Sequence, residues 1–104
     1  MNSDRIKMLE QFVAEDPDDA FNRYALALEW AKIEPRRSTE IFDQLIREQP
    51  DYLPAYYQAG LVHLALNEVD RARPILVAGI AVAQQQRNNK TVNELRSLLE
   101  ALDE

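Results

Sequence analysis

The chain of 104 residues contains no cysteine, two glycines and one histidine. The absence of cysteine excludes disulfide bonds and thiol chemistry, and it leaves the redox compartment undetermined. No apolar stretch reaches the roughly 18 residues of a membrane-spanning helix, so the sequence predicts none. The opening residues also lack the apolar segment of a secretory signal peptide, which favours a cytoplasmic location.

Patterns that carry catalysis or metal binding are missing as well. A metal site needs several convergent ligands, and a nucleophile needs a base within reach. This chain offers one histidine, His63, and it has no glycine-rich phosphate loop. We expect His63 to pack in or near the core rather than to act as a ligand or base. The sequence therefore predicts no enzyme, no metal site and no cofactor.

Basic residues are few, and they are dispersed along the chain. Twelve Lys and Arg residues stand against 18 Asp and Glu residues, which gives a net charge of −6 and a pI near 4.8. Nucleic acids and anionic membranes are bound by clustered positive charge that displaces counterions. The sequence therefore predicts neither a nucleic acid partner nor a membrane partner.

Two segments of the chain repeat one pattern about 34 residues apart. The first block places mostly apolar and small residues on one helix face. Its first copy is Ala20, Phe21, Tyr24, Ala25 and Leu28, and its second copy is Ala55, Tyr56, Ala59, Gly60 and His63. A second block follows each copy, as Ser38, Phe42, Leu45 and Ile46, then again as Ala72, Leu76, Gly79 and Ile80. Such a period in helix-turn-helix units is typical of a helical repeat array, whose neighbouring units must stack to bury their apolar faces.

These residues resemble the tetratricopeptide repeat (TPR) family over roughly residues 17–86. By this resemblance, Phe21 and Tyr56 fill an aromatic position of the repeat, and Ala25 and Gly60 fill a small position. Ser38 and Ala72 fill the small position that opens the second helix. Three residues depart from the family pattern, which are His63 in place of tyrosine, Leu45 in place of alanine and Gln84 in place of the closing proline. The resemblance implies an all-α fold, a right-handed α-α superhelix of stacked antiparallel helix pairs with about six helices.

One domain, 1–104, is expected from the length. It divides into an N-terminal half-repeat helix at 1–16, repeat 1 at 17–49, repeat 2 at 50–86 and a C-terminal capping helix at 87–104. The two flanking helices would cover the apolar ends of a two-repeat stack, so we expect a self-contained adaptor.

Local signals place the helix starts and the packed residues. We expect caps at Asp18 or Asp19, at Asp70, and at Asn88 or Asn89, with Pro35 and Pro74 in first turns. Large residues should fill the space between helices, and these are Phe21, Tyr24, Phe42, Tyr56 and Leu76. Small residues should mark close helix approaches, with Gly60 and Gly79 among them.

In the TPR family, the first helix of each repeat lines a concave groove that binds peptides or partner helices. By resemblance, the groove residues here are Asn22, Arg23, Leu26, Glu29 and Trp30 in the first unit, and Tyr57, Gln58, Leu61 and Leu64 in the second. This set combines apolar residues with a polar border, which is the composition of an interaction surface. The alternative is that a short, curved stack folds these residues into its own core.

The sequence therefore predicts a non-catalytic adaptor or scaffold that binds a protein partner, as a peptide or amphipathic helix, in the groove. The alternative is a homo-oligomeric structural module, such as a homodimer that meets its own copy through the same apolar groove patch. The family's chaperone-tail clamp is disfavoured because its lysines are missing. In addition, Leu26 and Pro54 stand where that clamp needs polar groups.

Overall fold

Six α-helices form the protein in a computed structural model that describes residues 2–103, with side chains from 3 to 103. The helices are α1 (Asn2–Glu15), α2 (Ala20–Ala31), α3 (Pro35–Glu48), α4 (Pro54–Ala65), α5 (Val69–Gln85) and α6 (Asn89–Ala101). No strand occurs within residues 2–103, so the predicted all-α fold is confirmed. Met1 and Glu104, the ends of the predicted domain, lie outside the described residues.

Three helices begin where capping chemistry predicts. The Oδ1 atom of Asp19 accepts hydrogen bonds from the backbone N–H groups of Phe21, at 3.0 Å, and Asn22, at 3.4 Å. Pro35 is the first residue of α3, where a proline loses no helical hydrogen bond. Asn88 Oδ1 accepts from the Thr91 N–H at 3.0 Å at the start of α6. These side chains satisfy amide groups that a helix leaves unpaired at its N-terminus.

The start of α5 differs from the prediction. The helix begins at Val69, and Glu68, not Asp70, precedes it. Pro74 therefore lies inside α5 rather than in its first turn, and its missing N–H leaves the carbonyl of Asp70 without its helical donor. Because Asp70 and Pro74 are both exposed, water can reach that carbonyl and the helix continues to Gln85.

The helices stack in chain order, and each packs against the next. One core cluster lies between α2, α3 and α4, with Ala27, Phe42, Leu45, Ala55, Ala59 and Val62 buried in it. A second lies between α4, α5 and α6, with Leu53, Tyr56, Leu76, Ala83, Val92 and Leu95. A smaller cluster joins α1 to α2 through Ile6, Leu9, Ala25 and Leu26. The helix α4 takes part in both large clusters and is therefore central to the stack.

Phe21 is not a core residue, and its predicted place among the packing aromatics is wrong. Its side chain is 63% exposed, whereas Tyr56, its expected counterpart, is 2% exposed. The face of α2 that meets α3 carries Ala20, Tyr24 and Ala27, while Leu26 on another side meets α1. Phe21 lies in the first turn outside both clusters, so neither neighbouring helix covers it.

The two glycines allow α4 and α5 to pack closely, as predicted. A Cβ atom at Gly79 would lie 2.7 Å from Tyr56 Cβ, 3.0 Å from Tyr56 Cγ and 3.1 Å from Leu95 Cδ1. At Gly60, an added Cβ would lie 2.6 Å from Cδ2 of Leu76, and its three nearest neighbours would all be atoms of that side chain. The site at Gly79 is therefore closed by two side chains from two helices, whereas Gly60 faces the flexible end of one leucine.

We predict that Gly79→Ala destabilises the protein by about 1 kcal/mol. Alanine gains about 1 kcal/mol of helix propensity, but overpacking costs typically 1–3 kcal/mol where the neighbours cannot move. Gly60→Ala should cost less because Leu76 can turn aside, and a bulky Gly60→Leu should again be destabilising. Urea unfolding followed by circular dichroism measures all three variants. A higher unfolding midpoint for Gly79→Ala than for the wild type would show that α4 and α5 are not in close contact there.

Candidate partner-binding cleft

An elongated cleft lies among α2, α4 and α6. It consists of two parts, of about 450 Å³ and 510 Å³, which share the side chains of Tyr57 and Glu94. The first part is lined by Tyr24, Leu53, Pro54, Tyr57, Gln58, Gln86, Asn88, Thr91 and Glu94. The second part is lined by Tyr57, Asn93, Glu94, Ser97, Leu98 and Ala101. The two parts adjoin at these shared residues, and together they are referred to below as the cleft.

The cleft combines apolar contact surface with hydrogen-bonding groups. Tyr57 and Leu98 are half-buried, so each presents part of its side chain at the cleft surface. Glu94 is the only charged side chain in the lining, and it forms no salt bridge within residues 2–103. Apolar and polar side chains contribute about equally to the lining, and such a mixed composition is typical of protein–protein interfaces.

The predicted groove residues of α4 divide into two pairs. Tyr57 and Gln58 line the cleft and are half-buried. Leu61 is 36% exposed and Leu64 is half-buried, and neither lines the cleft. The α4 side of the predicted groove therefore coincides with the cleft at two of its four residues.

The predicted groove residues of α2 are mostly covered. Leu26 is 7% exposed and packs in one cluster with Ile6 and Leu9 of α1. Arg23 is 8% exposed and pairs with Glu48, whose Oε1 lies 2.7 Å from its Nη2 atom. The α2 surface that the sequence assigns to a partner is thus occupied by α1 at Leu26 and by Glu48 of α3 at Arg23.

Glu29, Trp30 and Asn22 complete the α2 set. Glu29 is 5% exposed, and its Oε2 lies 3.0 Å from Lys32 Nζ and 3.4 Å from Arg5 Nε on α1. The hydrogen bond from Lys32, more than any other cause, holds the pKa of Glu29 below its usual value in spite of its burial. Trp30 is half-buried, with the Arg37 guanidinium 5.4 Å from its ring centroid. Asn22 is half-buried and lies outside the cleft lining.

The contribution of α6 to the cleft is missing from the sequence prediction. Thr91, Asn93, Glu94, Ser97 and Leu98 all line the cleft. The prediction treated α6 only as a cap, and its Val92 and Leu95 are buried. The available signal was position, because α6 follows two helix pairs and stands where the first helix of a third pair would stand.

His63 lies outside the cleft and is the buried member of a cluster with Asp43, Glu68 and Arg36, whose side chains reach the surface. It is 1% exposed, as expected for a packed residue. Its Nδ1 lies 2.9 Å from Glu68 Oε1 and its Nε2 lies 3.1 Å from Asp43 Oδ1. Arg36 Nη1 donates to the other Glu68 oxygen at 2.7 Å. The imidazole thus bridges Asp43 of α3 and Glu68, the residue that precedes α5.

The cluster of His63, Asp43, Glu68 and Arg36 makes a pH-dependent contribution to the stability of the fold. The hydrogen bond from Arg36, followed by that from His63, lowers the pKa of Glu68 below its usual value of 4.5. A carboxyl whose pKa is lower in the folded state stabilises the fold fully above its unfolded pKa, and this stability is lost as the pH falls through the folded pKa.

We predict that Glu68→Gln lowers stability at neutral pH and that its difference from the wild type shrinks as the pH falls below 4.5. The reason is that protonated Glu68 and glutamine are both uncharged. Urea midpoints from neutral pH down to about pH 3 measure the effect. Glu40→Gln is the control, since Glu40 is exposed and forms no salt bridge within residues 2–103. A gap between Glu68→Gln and wild type that does not change with pH would contradict a role for the charge.

Among the described residues, no group of three or more His, Asp or Glu side chains is arranged to hold a metal ion. No helix within residues 2–103 has the length and apolarity needed to cross a bilayer.

The stacked helix pairs and the cleft along their first helices define a helical repeat protein. Neither a protein-family model nor a curated protein matches the sequence. The solution structure of a tetratricopeptide repeat domain protein from Salinibacter ruber matches with a TM-score of 0.77 at 34% identity, over 83% of this chain and 88% of that one. A crystal structure of the tetratricopeptide repeat domain protein from Salinibacter ruber matches with a TM-score of 0.73, also at 34% identity, over 78% of this chain and 92% of that one.

A third solved structure shares the fold at lower identity. PcrH, in complex with the chaperone binding region of PopD, matches with a TM-score of 0.88 at 17% identity, over 98% of this chain and 78% of that one. With the Salinibacter ruber protein at 34% identity across most of both chains, the family is established. The chain belongs to the tetratricopeptide repeat family.

Proposed function

We propose that this protein is a non-catalytic, cytoplasmic adaptor or scaffold that binds a protein partner, as a peptide or amphipathic helix, in the cleft. The observation that carries the proposal is that the two parts of the cleft adjoin at Tyr57 and Glu94, which line both. A bound segment that follows α4 and α6 would therefore contact both parts. The structure of PcrH with a region of PopD supports this idea, because it shows a similar fold holding a segment of another protein.

The lining favours a partner segment with both apolar and basic side chains. Tyr57 and Leu98 provide apolar contact area, and an aromatic ring can also accept a cation on its face. Glu94 supplies the only charge in the lining, on a protein whose net charge is −6. A lysine or arginine beside an apolar residue would match both features.

The residues that we propose for direct contact with the partner are only partly those of the groove predicted from the sequence. Tyr57 and Gln58 remain, while Tyr24, Glu94 and Leu98 join them. Leu61 and Leu64 could extend the contact surface along α4. Leu26, Arg23 and Glu29 would act indirectly, because they hold α1 and α3 against α2.

We predict that Tyr57→Ala weakens peptide binding roughly 30-fold, since a central aromatic contributes about 2 kcal/mol or more to an interface. Peptides would first be selected from a random phage-displayed library on the wild-type protein and then measured by fluorescence polarisation. Phe21→Ala is the matched control, because it removes an exposed aromatic ring outside the cleft lining. Selected peptides that bind both variants equally well, or a library that yields no binder, would argue against the cleft as the binding site.

We further predict that Glu94→Lys changes the peptides that are selected, from basic ones toward acidic ones. Binding of the original basic peptides should fall roughly fivefold, the size of an exposed ion pair of up to about 1 kcal/mol. Glu100→Lys changes the net charge equally on exposed surface outside the cleft lining, so it separates a local effect from a general one. Equal changes in both variants would mean that Glu94 makes no specific contact.

A further inference from the structure

The outer face of α5 is apolar where the matching face of α3 is polar. Four exposed residues of α5 form this face, and they are Pro74, Val77, Ala78 and Ala81. The helices α3 and α5 begin at Pro35 and Val69, so positions 34 residues apart correspond. The corresponding residues of α3 are Glu40, Asp43, Gln44 and Arg47. All four positions are thus polar in the first repeat and apolar in the second.

These four residues lie on one stripe of the helix, since their spacing of three, four and seven residues brings them to the same side. Val77 is 52% exposed, and it stands at the centre of the stripe. The other three side chains are small or compact, which allows another helix to approach closely. Repacking within the fold does not account for the stripe, because the core contacts of α5 come from Leu76, Gly79 and Ala83 on the opposite side.

Polar residues terminate the stripe at both of its ends. Asp70 and Arg71 precede it and Gln84 and Gln85 follow it, and all four are exposed. At 1.5 Å per residue, the apolar stretch from Pro74 to Ala81 is about 10 Å long. The face is therefore a short apolar centre between two pairs of hydrogen-bonding side chains.

We propose that this face pairs with the same face of a second copy of the chain, with the two α5 helices antiparallel about a twofold axis near Val77 and Ala78. This arrangement sets Val77 opposite Ala78 of the second copy and Pro74 opposite Ala81. It also sets Asp70 opposite Gln85 and Arg71 opposite Gln84.

The polar residues at the two ends of the face favour pairing with a second copy in the antiparallel direction. In the antiparallel pair, the Asp70 carboxylate can accept from the amide N–H of Gln85, and the Arg71 guanidinium can donate to the amide oxygen of Gln84. A parallel pair would instead set Asp70 against Asp70 and Arg71 against Arg71, which is repulsive. The ends of the face thus match each other in only one of the two directions.

The association should be weak and dependent on salt. One helix face buries less than the roughly 1,200 Å² that stable interfaces need. The net charge of −6 on each copy also opposes contact, and salt screens that repulsion. None of the four residues lines the cleft, so a dimer would leave both clefts accessible. A partner with two binding segments could then gain from simultaneous engagement.

Sedimentation velocity on the purified chain tests this proposal without any peptide, so its outcome is independent of the proposed function. We expect the average mass to rise with protein concentration and with salt. Val77→Asp should abolish this rise. Ile33→Asp is the matched control, since Ile33 is also 52% exposed and lies outside α5. A chain that stays monomeric up to its highest soluble concentration, or a rise that Val77→Asp leaves unchanged, would overturn the proposal.

A second measurement locates the contact by chemistry. The chain has no cysteine, so Ala78→Cys introduces one thiol close to the proposed axis. A short bis-maleimide should join two copies through this thiol far faster than through the thiol of Gln44→Cys, at the corresponding exposed position of α3. Equal cross-linking of the two variants would show that copies meet only by random collision. If Val77→Asp fails to fold, this comparison of cross-linking rates still tests whether the two α5 faces meet.

Discussion

The close contact between α4 and α5 is the constraint on which the rest of the structure depends. Tyr56 lies against Gly79, which leaves no room there for a side chain, and Leu76 fills the space beside Gly60. Tyr56 and Leu76 then form one cluster with Val92 and Leu95 of α6, which ties the last helix to the stack. On its other side, α4 packs against α3 through Ala55, Ala59 and Val62. Because α4 is fixed from both sides, the direction of Tyr57, the residue next to Tyr56, is fixed as well, and Tyr57 points into the cleft.

The position of the cleft depends on what covers each end of the stack. At the first end, α1 packs on Leu26, and Arg5 of α1 pairs with the buried Glu29. The apolar surface of α2 is thereby used within the fold, and an ionic contact at the same surface holds α1 in place. At the other end, α6 buries Val92 and Leu95 but leaves Asn93, Glu94 and Ser97 accessible. The open surface therefore extends from α4 toward α6 rather than from α4 toward α1.

Sequence reasoning could predict the features that rest on local chemistry and repeated spacing. The caps at Asp19 and Asn88, the helix start at Pro35 and the packing role of the glycines follow from the preferences of single residues. The coverage of Leu26 could not be predicted from α2 alone, because it depends on the path that α1 takes. The exposure of Phe21 likewise depends on how α2 is rotated between α1 and α3, and two faces of α2 are apolar enough to turn inward. The part of α6 in the cleft was missed for a related reason, since a helix that caps the core on one side can still line a site on another.

The same α4–α5 contact also separates the two proposed surfaces. On α5, Gly79 turns toward Tyr56, so its neighbour Ala78 must project to the outside of the stack. On α4, Tyr56 lies against Gly79, whereas the next residue, Tyr57, lines the cleft. The cleft and the outer face of α5 therefore lie on different sides of one rigid pair of helices. A partner segment along α6 and a second copy against α5 would not compete for any lining residue, and one molecule could hold both at the same time.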